Sequence, residues 1–154
     1  MSLGPDLAGR TFPPTAPFEV THDHVEAFAQ SFGATYSGGP APVTYPIVVA
    51  FGAMRALLDD PSVGISLQHV VHGEQRFSYT RPVVPGDRLV AELTVTSVRS
   101  LGGADIIATR SEITDADGAH VVTALATLVH SAPDDTEAPE PPPTPPAPQI
   151  GRQR

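Results

Sequence analysis

Cysteine is absent from the 154-residue chain. That excludes disulfides, thiolate nucleophiles and Cys-based metal sites. Lysine is absent too, so every basic side chain is an arginine. There is no basic run, and the formal net charge is -8, which argues against a nucleic-acid partner. No apolar run reaches the ~18 residues that a membrane helix needs. The first residues lack a basic segment followed by an apolar core, so no signal peptide is expected and the expected location is the cytoplasm. Charged residues make up 17%, below the usual ~25%, whereas 40% hydrophobic content fits a globular domain. The length suits one core and is too short for two ordinary domains.

Proline is plentiful and unevenly placed, with 18 residues in all. It marks an irregular lead-in over 1–17 and a proline-rich tail over 133–154, leaving a domain over 18–132. The tail composition cannot build a core and predicts an extended or disordered segment. Phe18-Glu19-Val20 reads as a short edge strand. Thr21 reads as a helix N-cap, and Val25, Phe28, Ala29 and Phe32 recur at helical spacing before Gly33 stops the helix. His22-Asp23-His24 has superficial metal-ligand spacing, but i and i+2 on a helix do not face one another, so no metal is expected.

A Gly/Pro-rich loop then leads to Pro46, which is tolerated at a helix start. Ile47 to Leu58 follows, apolar nearly all round. Such a helix is expected to be buried on every side. Four strands come next: His69–Thr80, Arg88–Ser100, Ala104–Thr114 and Ala119–Ser131. Gly102-Gly103 and Asp115-Ala116-Asp117-Gly118 supply tight turns, which imply antiparallel neighbours. Pro85-Gly86-Asp87 turns the chain between the first two strands, giving a hairpin-like connection with a polar mouth, His72-Gly73-Glu74-Gln75. The fold class is therefore α+β.

His72-Gly73-Glu74-Gln75-Arg76-Phe77 and Arg81-Pro82-Val83-Val84-Pro85-Gly86-Asp87, set in this order of elements, resemble the MaoC-like hot-dog family. The closer likeness is to its N-terminal, non-catalytic type, found as the accessory subunit of actinobacterial (3R)-hydroxyacyl-thioester dehydratases. The resemblance implies a single hot-dog fold, an antiparallel sheet wrapped around a buried central helix. It implies no cofactor, acyl-CoA or an acyl-carrier protein as ligand, and no membrane. It also implies a partner: a catalytic hot-dog subunit in a heterodimer, or a second copy. Catalytic relatives carry an Asp and a His on the loop after the first helix. Here that loop reads Ala34-Thr35-Tyr36-Ser37-Gly38-Gly39-Pro40-Ala41-Pro42, without either.

The resemblance thus implies no catalytic residue in this chain. Substrate contacts are expected from Tyr45, Ile47, Val48, Phe51, Met54, His72, Gln75 and Arg81. Ile47, Val48, Phe51 and Met54 would line an acyl tunnel, though plain core packing accounts for an apolar helix equally well. Arg76, Arg81 and Arg88 are expected near the mouth, where guanidinium suits phosphate. His72 with Glu74 is the alternative catalytic pair, for a self-sufficient homodimeric dehydratase or thioesterase. A structural role for both, satisfying backbone groups, competes with it. A plain acyl-thioester binding module is the remaining alternative. His69, His120 and His130 are expected to be surface or packing residues.

Overall fold

A computed structural model of the chain describes Leu3 and residues 5–131. The proline-rich tail expected over 133–154 lies outside the described residues. The elements are β1 (Phe18–Glu19), α1 (His22–Ser31), α2 (Ile47–Leu58), β2 (Val70–Tyr79), β3 (Arg88–Leu101), β4 (Ala104–Thr114) and β5 (His120–Ser131), with 3-10 turns at Pro5–Leu7 and Leu67–His69.

Local chemistry sets the boundaries. Thr21 Oγ1 accepts the His24 backbone N–H at 3.2 Å, capping α1. Gly102 and Gly103 both have positive φ, as the two-residue turn between β3 and β4 requires. Asp115 Oδ1 accepts the N–H groups of Asp117 and Ala119, each at 3.0 Å, and so shapes the turn between β4 and β5.

The sheet is five-stranded and antiparallel, in the order β1-β3-β4-β5-β2. It curls around α2. Leu89, Ala91, Leu93 and Val95 of β3 and Val122, Ala124, Ala126 and Leu128 of β5 meet Val49, Ala50, Ala53, Met54 and Leu57 of α2 in one core. This is the hot-dog arrangement. The lead-in packs into the same core through Leu7 and Phe12, and its backbone bonds β3 at Leu93 and Val95. With β1, it covers the outer edge of β3. The opposite edge, β2, pairs with β5 and, among the described residues, with no other strand.

Three expectations are corrected. β2 and β3 do not form a hairpin-like pair, because β4 and β5 lie between them. The Arg81–Asp87 stretch is a crossover, held to Val20 through the Gly86 N–H and the Asp87 carbonyl. The central helix is not buried on all sides: Phe51 and Gly52 are exposed, and Ile47 and Val48 half-buried. This outward stripe is apolar although none of the described residues covers it. Finally, Phe32 is 55% exposed: α1 ends at Ser31, and the Phe32 ring meets the half-buried Phe28 ring edge-on at the helix end.

Candidate functional site

Along the open edge, β2 and the start of α2 enclose a groove of about 430 Å3, lined by Thr44, Ile47, His72, Gly73, Glu74, Gln75 and Phe77. The strand's register explains its lining. Gln75, Phe77 and Tyr79 lie opposite Ala126, Ala124 and Val122, the inward residues of β5, so their side chains turn toward α2. Gly73 is the extra residue of a β-bulge, with His72 opposite Leu128 and Glu74 opposite Thr127. Consecutive β5 residues point to opposite faces. The bulge therefore sends His72 inward and Glu74 outward, although a spacing of two would otherwise put them on one face.

Their partners agree. His72 Nε2 lies 3.1 Å from Gln75 Oε1, which can only accept, so Nε2 donates. In the neutral ring, Nδ1 then remains an acceptor. Gln75 Nε2 donates to the Arg76 carbonyl. Glu74 is taken by Arg76, at 2.7 Å from Nε. The structure thus brings Ile47, His72 and Gln75 together in one groove and does not pair His72 with Glu74.

The other expected contacts are dispersed. Tyr45 is fully buried between α1 and α2, its hydroxyl 2.8 Å from His24 Nδ1 and its ring edge-on to Phe28. Burial, reinforced by the neighbouring Tyr36, pushes the Tyr45 phenol up to about 12. Met54 is buried in the core. Val48 lines a separate cavity of about 380 Å3 with Thr15, Phe18 and Gly52. Phe51 stands exposed on the outward stripe of α2.

Arg81 is not free for a phosphate. It holds Asp87 through both terminal nitrogens at 2.9 and 3.1 Å and reaches Asp115 at 3.3 Å. The Asp87 hydrogen bonds, helped by Asp115, outweigh burial and push its guanidinium further up. The expected arginine cluster at the mouth is not formed either. Arg88 starts β3, where its backbone lies opposite Glu19 of β1, and Arg76 on β2 is held by Glu74.

A second cavity, about 280 Å3, lies where β2 ends, between Pro40, Ala41 and Val43 of the loop and Tyr79, Thr80, Arg81, Pro82 and Val83. The loop is pinned there: the Ala41 N–H donates to the Val83 carbonyl at 2.8 Å, and the Tyr79 hydroxyl donates to the Val43 carbonyl. Tyr36 closes the loop on itself through the Gly39 carbonyl at 2.6 Å. Ligand atoms of His22, Asp23 and Glu26 lie within 4.8 Å of one another on the exposed first turn of α1, but the positive end of a helix dipole disfavours a cation there.

Sequence reasoning did not assign partners to His120. Its Nδ1 meets Thr80 Oγ1 at 2.5 Å, and its Nε2 meets Thr123 Oγ1 at 2.8 Å and Glu112 Oε2 at 3.1 Å. The signal was available in part. Counting outward from the Asp115–Gly118 turn sets Glu112 opposite Thr123. The Thr80 contact depends on the long-range pairing of β2 with β5 and had no local signal.

The comparisons with known proteins fit this geometry. Residues 33–124 match the family described as FAS1-like, dehydratase domain region. A UPF0336 protein of Leifsonia xyli is 45% identical over 141 residues, covering 82% of this chain and 95% of that protein. Among solved structures, the HadBC (3R-hydroxyacyl-ACP dehydratase) complex from Mycobacterium tuberculosis superposes with a TM-score of 0.71 at 28% identity, over 80% of this chain and 97% of the matched chain. A MaoC-like dehydratase gives 0.67 at 27% identity, over 83% of this chain and 43% of that one. Among the described residues, no helix is long and apolar enough to cross a membrane. A curled sheet around one helix, an edge groove carrying the His-Gly-Glu-Gln motif and these two levels of similarity converge: the chain belongs to the FAS1-like, MaoC-like hot-dog dehydratase family, as a UPF0336 protein.

Proposed function

We propose that this chain is the non-catalytic, acyl-chain-binding subunit of a heterodimeric (R)-specific enoyl-thioester hydratase or 3-hydroxyacyl-thioester dehydratase. The observation that carries the reading is what the α1–α2 loop lacks. Residues 34–42 hold no acid and no imidazole, and their one buried polar side chain, Tyr36, is spent on the Gly39 carbonyl. Hydration or dehydration beside a thioester needs proton-handling groups at fixed positions. In the groove, His72 is bonded to Gln75 rather than to a carboxylate, and Glu74 is neutralised by Arg76.

The surfaces support a partner. Among the described residues, β2 offers an unpaired edge of ten residues, and the adjacent α2 stripe exposes Phe51 beside half-buried Ile47 and Val48. A second hot-dog laid along β2 would continue the sheet and cover that stripe. It would also close the groove over an acyl group from CoA or a carrier protein, and bring its own acid and base. HadBC, to which this chain is similar, is by its name a (3R)-hydroxyacyl-ACP dehydratase complex, which supports a reading with a partner.

The test is hydration of crotonyl and longer enoyl thioesters. Measurements use the purified chain alone, and the chain co-expressed with a hot-dog partner that carries the Asp and His on its loop. Activity is expected from the pair only. Robust hydration of the enoyl double bond by the chain alone, as distinct from thioester cleavage, sinks the proposal.

A further inference from the structure

The cluster around His120 lies outside the edge groove, on the outward face of the sheet where β2, β4 and β5 end together. Its protonation pattern follows from its neighbours. The Glu112 carboxylate can only accept, so the His120 Nε2 at 3.1 Å carries the hydrogen. Thr123 fits the same order: its hydroxyl accepts from Nε2 and donates to Glu112 Oε2 at 2.7 Å. Nδ1 of the neutral ring is then an acceptor, and the Thr80 hydroxyl at 2.5 Å is the group that donates to it. Arg110 holds the other oxygen of Glu112, so the carboxylate is fixed from two sides. Burial opposes ionisation of Glu112, but Thr123, Arg110 and His120 outweigh it and keep the carboxyl below its ordinary range.

This is a hydroxyl bonded to an imidazole that is in turn oriented by an ionised carboxylate, the constellation that activates a hydroxyl nucleophile. Thr80 itself is exposed, and it lines the cavity of about 280 Å3 beside Val43, Tyr79 and Pro82. Ala41, Val43, Pro82 and Val83 make that lining mainly apolar, and the neighbouring Arg81 is neutralised by Asp87 and Asp115. The cavity therefore suits a small uncharged acyl group rather than a free acid.

We propose that Thr80, His120 and Glu112 form an acyl-transfer site that cleaves small activated acyl esters and thioesters. This goes beyond the acyl-binding role proposed above and does not depend on it. Thr80 Oγ attacks the acyl carbonyl carbon while His120 Nδ1 takes the hydroxyl proton. The bond from that carbon to the leaving sulfur or oxygen breaks, and the leaving group takes the proton from His120. Water then attacks the acyl-Thr80 ester with the same base, releasing the carboxylic acid and restoring the hydroxyl. Glu112 is a positioning residue, holding the tautomer in which Nδ1 is free to accept.

The experiment uses the purified full chain and p-nitrophenyl butyrate, following nitrophenolate release, with intact-mass and peptide mapping for a butyryl adduct. Slow turnover with the adduct on Thr80 is expected. Thr80→Val and His120→Gln should lower the rate by about 100-fold or more, as loss of a nucleophile or general base does. Thr80→Ser should retain it, and Glu112→Gln should lower kcat more than it changes KM. Thermal unfolding accompanies each variant. If Thr80→Val fails to fold, the Thr80→Ser and His120→Gln pair decides. Release by the wild type no faster than by His120→Gln, or an adduct on a different residue, overturns the proposal. Neither outcome bears on hydration by the paired subunits.

Discussion

The proposed use of the β2 edge can be tested one peptide at a time. The Thr80 N–H donates to the Val121 carbonyl at 2.8 Å, and Tyr79 sits opposite Val122. Antiparallel pairs alternate between bonded and non-bonded positions. Hence the N–H groups of Arg76 and Ser78 point into β5, and those of Gln75, Phe77 and Tyr79 point out to the open edge. Proline at Gln75 therefore leaves the ladder to β5 intact, as edge strands permit. The residue before it, Glu74, is already extended, which proline favours. Proline at Arg76 instead deletes a ladder bond and strands the Leu125 carbonyl, costing about 1–3 kcal/mol, besides the ring's own fit. Against a partner strand the order reverses. Gln75→Pro removes a cross-chain bond and leaves its acceptor unpaired, a loss of about 1–3 kcal/mol. At 1.4 kcal/mol per decade, dissociation should rise roughly 10- to 100-fold. Sedimentation equilibrium on the assembly and urea unfolding of each variant separate the two effects, with Gln75→Ala controlling for the side chain's bond to His72. The expected outcome is a folded but dissociated Gln75→Pro and a destabilised Arg76→Pro. A Gln75→Pro assembly as tight as wild type would refute the edge as the interface, and equal destabilisation by both would refute the register.

Phe51→Asp should change unfolding of the isolated chain by less than about 0.5 kcal/mol, as for an exposed site, yet weaken assembly in the same sedimentation assay. Tyr45→Phe should cost about 0.5–1.5 kcal/mol in urea unfolding, the net value of its bond to His24. Its phenol titrates at about 12 when folded and near 10.0 when unfolded. The folded state then holds the extra proton between these values, so stability falls as pH rises through that window, and Tyr45→Phe should flatten the fall. Glu112 has the opposite sign. Its lowered folded value means stability present above its ordinary value of 4.5 and lost as pH falls below it, a loss that Glu112→Gln should reduce in acid titrations of unfolding.

What the residues announced in advance was what short-range chemistry controls. Thr21, Pro46 and Gly102-Gly103 each act within a few positions, so helix starts and the β3–β4 turn could be read directly. Strand order could not, because Arg81 to Asp87 is equally suited to a hairpin and to a crossover. The choice is made by β5, whose inward Val122, Ala124 and Ala126 accept β2 some forty residues later. The same distance hid the separation of His72 from Glu74. Their spacing implies a shared face, and the Gly73 bulge that divides them exists only in the pairing with β5.

The apolar sweep of α2 raises a sharper problem. A helix without a polar face reads as buried on every side, yet the described residues cover only the face holding Val49, Ala50, Ala53, Met54, Leu57 and Leu58. Hydrophobicity records that a surface is shielded from water but not by which molecule. Ile47, Val48 and Phe51 have the same composition as the core residues beside them, and only coordinates divide the two sets. An outward stripe of that kind, running beside an unpaired strand, is what a fold leaves exposed when its core is completed by another chain. The edge groove that holds His72 and Gln75 lies where that second chain would close it. On the proposed reading, the Asp and His that residues 34–42 lack would come from that second chain.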